Sequence, residues 1–393
     1  MNRRRDRAIV GIFVVILGGG CLAQFIGLDR GAVGTEVRRL APPEWRWDLP
    51  TYVLSVDRWF RDNFHLRREF IFANSVIKLY VLRTSASKEI ALGRQGWQFF
   101  IGQRVPEYTR HTVPLDRAAL EKQRREFVAR ARWAAAHGSM YAVLVAPNKE
   151  TIYPELLPDW LTRPVRPQSI LDQISAELMR SREVRFVDVR RRLWDVKNRY
   201  VLYRRLDSHW NDLGAYHAYA CLMASLAQAA QQGRHHRWAR GLEPLPLGSF
   251  RIREVMGPAG FSGMMGLYSV RSENVLLEQD EERFIRRDRA PRDFDELTTQ
   301  NDHATTPLRA LVFRDSFFSN MIPLVSRHFR YVRYIWGPLF DANRVVSEQP
   351  DVVITQFVER ELLAKVSPPP TDPGDVDALQ PAPAPASAPP CGA

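Results

Sequence analysis

The sequence predicts an α/β domain with a mostly parallel sheet, and three observations support this fold class. Short apolar runs that are typical of buried strands recur along the 393-residue chain. Segments with helical periodicity separate most of these runs, and strands that alternate with helices favour a parallel sheet. Polar side chains directly follow two of the apolar runs, and ligands bind at the carboxyl ends of strands in such sheets.

Each element has its own sequence signal. Residues 54–82 carry an apolar stripe at helical spacing, which we interpret as core packing. Residues 90–101 are typical of a hairpin, and residues 115–137 of a helix with Asp116 near its start and Gly138 after its end. The further strands are predicted at 141–146, 184–189, 308–313, 331–336 and 351–357, and the further helices at 169–182, 212–230 and 317–329.

The N-terminus predicts a membrane anchor. Residues 8–28 contain no charged side chain, and these 21 positions are enough for a helix that spans a bilayer. Four arginines within residues 1–7 precede this segment, and such basic residues stay in the cytoplasm. A cleaved signal peptide or a lipoprotein signal at Cys21 is the alternative. We therefore predict a single-pass protein of the inner membrane whose main domain lies in the periplasm.

The predicted organisation has five parts. They are a cytoplasmic N-terminus at 1–7, a transmembrane anchor at 8–28, a linker and helical segment at 29–88, the main domain at 89–366 and a tail at 367–393. The tail is rich in Pro and Ala, so it cannot bury a core and is expected to be disordered.

The charge balance is basic, with 56 Lys and Arg against 44 Asp and Glu and a net charge of +12. Nucleic acid is one explanation of such an excess. The arginines are scattered, however, no binding module is recognisable, and an exported domain does not meet nucleic acid. We predict no nucleic-acid partner, and a basic surface that faces anionic lipid or an acidic glycan fits the compartment better.

Two segments supply the residue types that activate a serine. Asp207 and His209 lie two positions apart, and Ser316 follows the apolar run at 308–313. A hydroxyl, an imidazole and a carboxylate act as nucleophile, base and base-orienting group in acyl transfer. Their distance along the chain does not count against a triad, because triads occur in several chain orders. Taken alone, Ser316 is more typical of a turn or a helix cap, and the pair Asp207 and His209 is more typical of a surface turn or a satisfied histidine.

Metal binding is the other interpretation of Asp207 and His209. No further His or Cys stands near them at ligand spacing, and His235 and His236 lie in a polar Gln/Arg stretch. We therefore predict no metal and no cofactor.

Asn148 and Lys149 follow a predicted strand and are candidates for substrate contact. The backbone N–H of Ser316 is the first candidate donor of an oxyanion hole, and the Asn148 side chain is the second. An Asx-turn is the alternative for Asn148, and Lys149 either attracts an acidic glycan or caps a surface. Glu359 and Arg360 are interpreted as a structural ion pair outside the site.

Six segments are specific enough to indicate a family. They are GRQGWQFF at 93–100, APNKETIYP at 146–154, DSHWNDLG at 207–214, GFSGMMG at 260–266, RDSF at 314–317 and PDVVITQFVEREL at 350–362. In this order they resemble the alginate O-acetyltransferase family (AlgJ/AlgX type), whose members are membrane-anchored or periplasmic and contain an SGNH-hydrolase-like domain. The resemblance covers roughly residues 54–363.

The resemblance implies a three-layer domain in which Ser316 is the nucleophile, His209 its base and Asp207 the group that orients His209. It also implies that an acetyl group is moved onto a polysaccharide hydroxyl, beside a membrane-bound O-acyltransferase partner that exports the acetyl. Arg314 stands where the family commonly has Gly, so we predict that it changes the access or the charge beside Ser316. Because no C-terminal carbohydrate-binding module is recognisable, glycan recognition falls to the cleft or to a partner, and alginate itself is not implied.

Two other functions remain open at this point. A carbohydrate acetylesterase would use the same three residues and pass the acetyl group to water. A non-catalytic protein of polysaccharide assembly would bind glycan or act as a scaffold, but it would have no use for the three residues.

Overall fold

The computed structural model describes residues 43–45, 47–63, 67–181, 183–268, 270–278, 285–289 and 296–362, with the isolated positions 7, 10, 11 and 14. Nearly all of the predicted anchor at 8–28, most of the linker and the tail predicted at 367–393 lie outside these residues. No helix among the described residues is both long and apolar enough to cross a membrane. The chain divides into two compact units, residues 1–87 with 263–268 and residues 88–262 with 269–393.

The smaller unit contains helices. They are α1 (Leu49–Asn63), α2 (Arg67–Val76) and a π-helical turn (Ile77–Val81). Gly266 of the same unit has a φ of +67°, and a Cβ there would lie 2.4 Å from Ile71 Cγ2, so only glycine fits against α2. Phe70, Ile77 and Tyr80 are exposed. The interpretation of the apolar stripe as core packing is therefore wrong for these three residues, because the described part of this unit has no sheet to cover them.

The larger unit contains the strands and the remaining helices. The strands are β1 (Ile90–Leu92), β2 (Gln98–Phe100), β3 (Met140–Ala146), β4 (Arg185–Asp188), β5 (Arg251–Pro258), β6 (Arg271–Glu278), β7 (Ile285–Arg289), β8 (Glu296–Asn301), β9 (Thr306–Arg314), β10 (Phe329–Trp336) and β11 (Val352–Val358). The helices are α3 (Val105–Thr109), α4 (Arg117–Ala136), α5 (Lys149–Ile152), α6 (Ile170–Ser181), α7 (Arg190–Val196), α8 (Asp212–Gln232), α9 (Ile322–Val325) and α10 (Ala342–Glu348). Short 3₁₀ turns lie at Arg94–Gly96, Pro154–Leu156, Asp159–Leu161, His236–Trp238, Arg240–Leu242, Leu247–Ser249, Ser316–Met321 and Glu359–Glu361.

The central sheet has seven strands in the order β4-β3-β11-β9-β10-β8-β7. The first five run parallel to one another. Strand β8 is antiparallel to β10, and the edge strand β7 is antiparallel to β8, which makes the sheet mixed. The predicted α/β class is therefore confirmed, whereas β7, β8 and the separate hairpin of β5 and β6 are not among the predicted strands.

Both faces of the central sheet are covered by helices, so the domain has three layers. Alternate side chains of each central strand pack into the two cores between these layers. On β3, Ala142 and Leu144 pack in a core with α8, whereas Tyr141 and Val143 pack in a second core with α4 and α6. Side chains of successive strand residues point to opposite faces, so a strand buried on both faces reads as a continuous apolar run. This is the pattern that predicted β3, β9 and β11.

The predicted helix at 317–329 differs from the structure. The segment forms the 3₁₀ turn Ser316–Met321 and then the short helix α9, and Phe329 already belongs to β10. Pro323 accounts for the break, because proline lacks an N–H donor and is tolerated only in the first turn of a helix.

Candidate active site

Asp207, His209 and Ser316 form one hydrogen-bonded row of side chains. His209 Nδ1 lies 2.8 Å from Asp207 Oδ1, and His209 Nε2 lies 2.7 Å from Ser316 Oγ. The first two residues belong to the loop before α8, and Ser316 opens the turn after β9. Asp207 is buried, whereas His209 and Ser316 are half-buried, so solvent reaches the imidazole and the hydroxyl.

The ionisation of Asp207 determines which nitrogen of His209 carries a proton. Burial raises the pKa of Asp207, but the hydrogen bonds and charge of His209, together with the charge of Arg204, outweigh burial and lower this pKa to about 2. An ionised carboxylate can only accept hydrogen bonds, so Nδ1–H donates to Asp207 and Nε2 is left to accept the proton of Ser316. A general base needs this arrangement before a serine can attack.

A glycine allows a neighbouring loop to approach the carboxylate. A Cβ on Gly260 would lie 2.2 Å from Asp207 Oδ2, so any larger residue would displace the carboxylate or the loop. The next residue, Phe261, donates its backbone N–H to the carbonyl of Leu206 at 3.0 Å. The glycine of the 260–266 motif therefore supports the position of Asp207.

Lys149 is buried against the same loop and does not face a substrate. Its Nζ donates to the carbonyl oxygens of Arg204, Arg205 and Asp207 at 3.0, 3.0 and 2.8 Å, which uses all three ammonium protons. The surrounding rings are Trp97, Phe99 and Phe261. The interpretation of Lys149 as a glycan-attracting or surface-capping charge is therefore wrong, because this side chain is only 1% exposed.

Burial shifts the pKa values of Lys149 and its neighbour Glu150 in opposite directions. Desolvation lowers the pKa of Lys149, and the charges of Glu150 and Asp207 oppose that shift. Desolvation raises the pKa of Glu150, and the charge of Lys149 opposes it. The three backbone carbonyl oxygens around Nζ stabilise the charged form of Lys149. The Asp207 loop is therefore bound to a desolvated ammonium group.

Asp315 fixes the turn that carries Ser316. Its Oδ1 accepts the Phe317 backbone N–H at 2.8 Å and the Gln356 Nε2–H at 2.9 Å, and its Oδ2 accepts the Val358 backbone N–H at 2.6 Å. Gln356 Oε1 in turn accepts the Asp315 backbone N–H at 3.2 Å. Asp315 is thus an N-cap that ties the Ser316 turn to the end of β11. Burial raises the pKa of Asp315, and these hydrogen bonds oppose the shift.

Asp315 and Gln356 are not predicted from the sequence as residues that support the site. The one available signal was a polar glutamine inside an otherwise apolar strand, which must find a partner when buried.

Aromatic packing joins the two segments of the triad. Trp210 Nε1–H donates to the carbonyl of Phe317 at 2.8 Å, and the two rings make an edge contact at 5.3 Å. The Phe317 ring also lies 4.7 Å from the imidazole of His209. These contacts fix the residue after His209 against the residue after Ser316, so the two catalytic candidates keep their spacing.

Asn148 lies at the end of β3 with a side chain that is 1% exposed. Within the described part of the chain neither amide atom of this side chain has a hydrogen-bond partner. The Asx-turn alternative therefore does not describe this structure. A buried amide with both groups unused is unusual and suits a site where a ligand completes the bonds.

The predicted ion pair of Glu359 with Arg360 is wrong. The Glu359 carboxylate accepts the Asn148 backbone N–H at 2.8 Å and the Thr151 hydroxyl at 2.6 Å. The Arg360 guanidinium donates to Gln103 at 2.9 Å and covers the rings of Phe100 and Phe317. Successive residues at a strand end point in different directions, so adjacent opposite charges need not pair.

Arg314 is buried at the end of β9. Its guanidinium donates to the carbonyl of Asp315 at 3.2 Å and the hydroxyl of Ser319 at 3.0 Å, and it covers the Trp336 ring at 4.8 Å. A contact of this arginine with substrate stays a prediction. Among the described residues no three His, Cys, Asp or Glu side chains come together as a metal site.

The chain resembles known acetyltransferases over the part that contains Asp207 and His209. Residues 90–245 match a family model described as an SGNH hydrolase-like domain, acetyltransferase AlgX. The match confirms the predicted resemblance for residues 90–245, which are similar to an SGNH hydrolase-like domain of the AlgX acetyltransferase type and include the first three of the six motifs. Ser316 lies beyond the matched residues, so its assignment depends on its geometry. No curated protein matches the chain in sequence.

Three solved structures are similar to this chain at low sequence identity. Bacillus cereus PatB1 with a sulfonyl adduct has a TM-score of 0.51 at 12% identity, over 71% of this chain and 98% of that chain. The O-acetyltransferase domain of Pseudomonas putida AlgJ has a TM-score of 0.45 at 18% identity, over 74% and 98% of the two chains. Pseudomonas aeruginosa AlgX has a TM-score of 0.40 at 14% identity, over 68% and 61%. Only the first score is high enough to indicate a common fold.

Proposed function

We propose that this protein is an O-acetyltransferase that moves an acetyl group onto hydroxyls of an exported polysaccharide through an acetyl-Ser316 intermediate. The observation that supports this most directly is the unbroken row from Asp207 through His209 to Ser316, with contacts of 2.8 and 2.7 Å. The acetyltransferase family match supports the reaction type.

The reaction is a double displacement. Ser316 Oγ gives its proton to His209 Nε2 and attacks the acyl carbon of the donor; the bond to the leaving group breaks, and the leaving group takes the proton. In the second half a glycan hydroxyl gives its proton to the same nitrogen and attacks the acetyl carbon. The bond to Oγ then breaks, and Ser316 recovers its proton. Asp207 stabilises the imidazolium that forms in each half.

Both tetrahedral intermediates need donors for a developing oxyanion. We assign the first to the Ser316 backbone N–H, which opens a 3₁₀ turn, and the second to the unpartnered amide of Asn148. The ends of β3 and β9 are separated only by β11, so their backbones are about 10 Å apart at the usual strand spacing. Asn148→Ala is expected to lower the rate of acyl transfer about 100-fold, as the loss of one such donor does elsewhere.

The location and the partner belong to the same proposal. The uncharged segment at 8–28 with arginines before it supports an inner-membrane anchor with the catalytic domain in the periplasm. A membrane-bound O-acyltransferase would then supply the acetyl group, and a polysaccharide would accept it.

The test uses the full-length chain in detergent with p-nitrophenyl acetate and a panel of oligosaccharides, with acetylated sugar and free acetate quantified separately. Ser316→Ala and His209→Ala are expected to lower both acyl transfer and ester cleavage by about 10³-fold or more. Ser249→Ala is the matched control, because this exposed hydroxyl bonds only to its own turn. A sulfonyl reagent is expected to label Ser316 and to fail on the His209→Ala variant.

The outcomes separate the three functions. Acetylated sugar that disappears in both variants supports the transferase, and free acetate alone that disappears in both indicates an esterase. Equal ester cleavage in wild type, Ser316→Ala and Ser249→Ala would refute the triad and leave the assembly protein.

A further inference from the structure

A second concave site lies in the larger unit and shares no residue with the triad. Its volume is about 520 Å³, and it is lined by Arg94, Arg110, Asp159, Trp160, Thr162 and Arg163. This volume lies in the range of about 300–1,000 Å³ that is typical of small-ligand sites. The site is therefore large enough to receive a compact polar ligand such as a sugar unit.

Three segments build this site, and backbone and side-chain bonds hold them together. Arg94 lies in the hairpin turn between β1 and β2 and donates to Asp159 Oδ1 at 2.6 Å. The carbonyl of Arg110, just after α3, accepts the Val165 backbone N–H at 2.7 Å. Thr162 donates its hydroxyl to the Asp159 carbonyl at 2.9 Å. The lining residues are thus placed by the fold and not by one flexible loop.

The site carries an excess of positive charge. Asp159 carries the one carboxylate among the lining residues, and this carboxylate already forms an ion pair with Arg94. In the described part of the chain, Arg110 and Arg163 have no carboxylate within ion-pair distance, and Arg110 Nε is buried without a partner. Two guanidinium groups therefore remain for a ligand, and guanidinium groups bind carboxylates through two parallel hydrogen bonds.

Trp160 provides an apolar face in the same site. Its side chain is 52% exposed. A single exposed aromatic residue elsewhere on a surface would need no explanation. Here it stands beside uncompensated arginines, and a flat ring next to charged groups matches a ligand with both an apolar face and an anion. A sugar ring that carries a carboxylate has this combination.

We propose that this cavity is an accessory binding site for a carboxylate-bearing sugar unit of the acceptor polysaccharide. Trp160 receives the ring of the sugar, and Arg110 and Arg163 bind its carboxylate. The identification of the ligand as a saccharide rests on the proposed function, whereas the preference for an anion rests on the site itself. The site would hold a polymer on the enzyme between transfers without taking part in the chemistry.

The experiment measures binding of a hexameric oligouronate and of a neutral cello-hexaose to the full-length chain by calorimetry. The oligouronate is expected to bind at least about 10-fold more tightly than the neutral hexaose, because each charge-assisted contact contributes a factor of that size. Trp160→Ala and Arg163→Gln are each expected to weaken oligouronate binding about 10-fold. Cleavage of p-nitrophenyl acetate should be unchanged in both variants.

Matched controls separate this site from general surface charge. Trp47→Ala removes an 88% exposed tryptophan from the other unit, and Arg330→Gln removes an exposed arginine that is ion-paired with Asp302. Both should bind the oligouronate like wild type. Trp160→Phe keeps an aromatic face and should restore most of the affinity, and unchanged ester cleavage by Trp160→Ala shows that the alanine variant is folded.

Three results would overturn the proposal: equal affinity for the neutral hexaose, wild-type affinity in Trp160→Ala, or equal competition by polyglutamate of the same charge. Binding is also measured on Ser316→Ala, which should bind the oligouronate like wild type. A failure of the triad therefore shows in ester cleavage alone, and a failure of the accessory site shows in binding alone.

Discussion

The two segments that carry the triad are held by buried groups of opposite charge. The loop with Asp207 and His209 is fixed by an ammonium group, because Lys149 donates to three of its carbonyl oxygens. The turn with Ser316 is fixed by a carboxylate, because Asp315 accepts two backbone N–H groups and one side-chain amide. Each charge satisfies backbone groups that would otherwise be buried without partners, so neither is available for substrate.

The hydrogen bonds of Lys149 and those of Asp315 differ in the elements that they connect. Lys149 starts α5 at the end of β3 and reaches a loop outside the sheet, so it sets the position of the base relative to the sheet. Asp315 connects β9 to β11 within the sheet, so it sets the position of the nucleophile as part of the core. We therefore expect loss of Asp315 to act mainly on stability and loss of Lys149 mainly on turnover.

The largest effect is expected at Asp315. Asp315→Ala leaves the N–H groups of Phe317 and Val358 and the amide of Gln356 without an acceptor, which should lower the free energy of unfolding by about 3–5 kcal/mol. Asp315→Asn keeps one oxygen and should cost about half as much. Urea unfolding measures both variants.

A surface aspartate is the control for this prediction. Asp302 is 59% exposed and pairs with Arg286 and Arg330, so Asp302→Ala should change the stability by about 0.5 kcal/mol or less. A loss at Asp315 no larger than the loss at Asp302 would contradict the view that the carboxylate anchors the Ser316 turn.

The next effect is expected at Lys149 and concerns the rate. Lys149→Met removes three hydrogen bonds but also removes the unfavourable burial of a charge, so the stability should fall by only about 1–3 kcal/mol. The Asp207 loop loses its support, and a displacement of about 1 Å in a catalytic group lowers the rate about 100-fold. Ester cleavage measures the rate, and urea unfolding measures the stability.

Two further variants sharpen the test of Lys149. Lys149→Arg should not rescue the rate, because a planar guanidinium cannot replace a compact ammonium group among three carbonyls. Lys122→Met changes an exposed lysine of α4 and should leave both quantities unchanged. An unchanged KM for p-nitrophenyl acetate with a lower kcat would agree with a displaced base, whereas a wild-type kcat in Lys149→Met would refute this role.

The sequence predicts the central strands well because each is buried on both faces. The apolar runs at β3, β9 and β11 are short and continuous, which favours strands, and the polar residues after them mark the carboxyl ends of these strands. The antiparallel strands β7 and β8 are not predicted, since Arg286, Arg287 and Asp288 make β7 resemble a loop. Such strands are defined by pairing with a neighbour, which a single segment does not encode.

The residues that support the site are harder to predict than the triad itself. A lysine is almost always exposed, so the burial of Lys149 depends on carbonyl groups that only the fold assembles. Asp315 and Gln356 lie 41 residues apart and meet only when β9 pairs with β11. The triad is predictable because its chemistry requires three residue types, whereas its supports are defined by unsatisfied backbone groups that the sequence does not show.

The smallest predicted effect is a difference in acid response between the two carboxylates. The pKa of Asp207 in the folded chain is lowered to about 2 from 3.8, so the unfolded chain binds more protons between these values. The stability that Asp207 contributes is therefore complete above about pH 5, at about 2 kcal/mol, and is lost as the pH falls, with about half remaining at pH 3. Burial shifts the pKa of Asp315 upward, so protonation of this group does not lower the stability in that range.

The difference in urea stability between wild type and Asp207→Asn should shrink between pH 5 and pH 3. A constant difference would show that His209 does not hold the carboxylate ionised, and would remove the basis for its role in orienting the base.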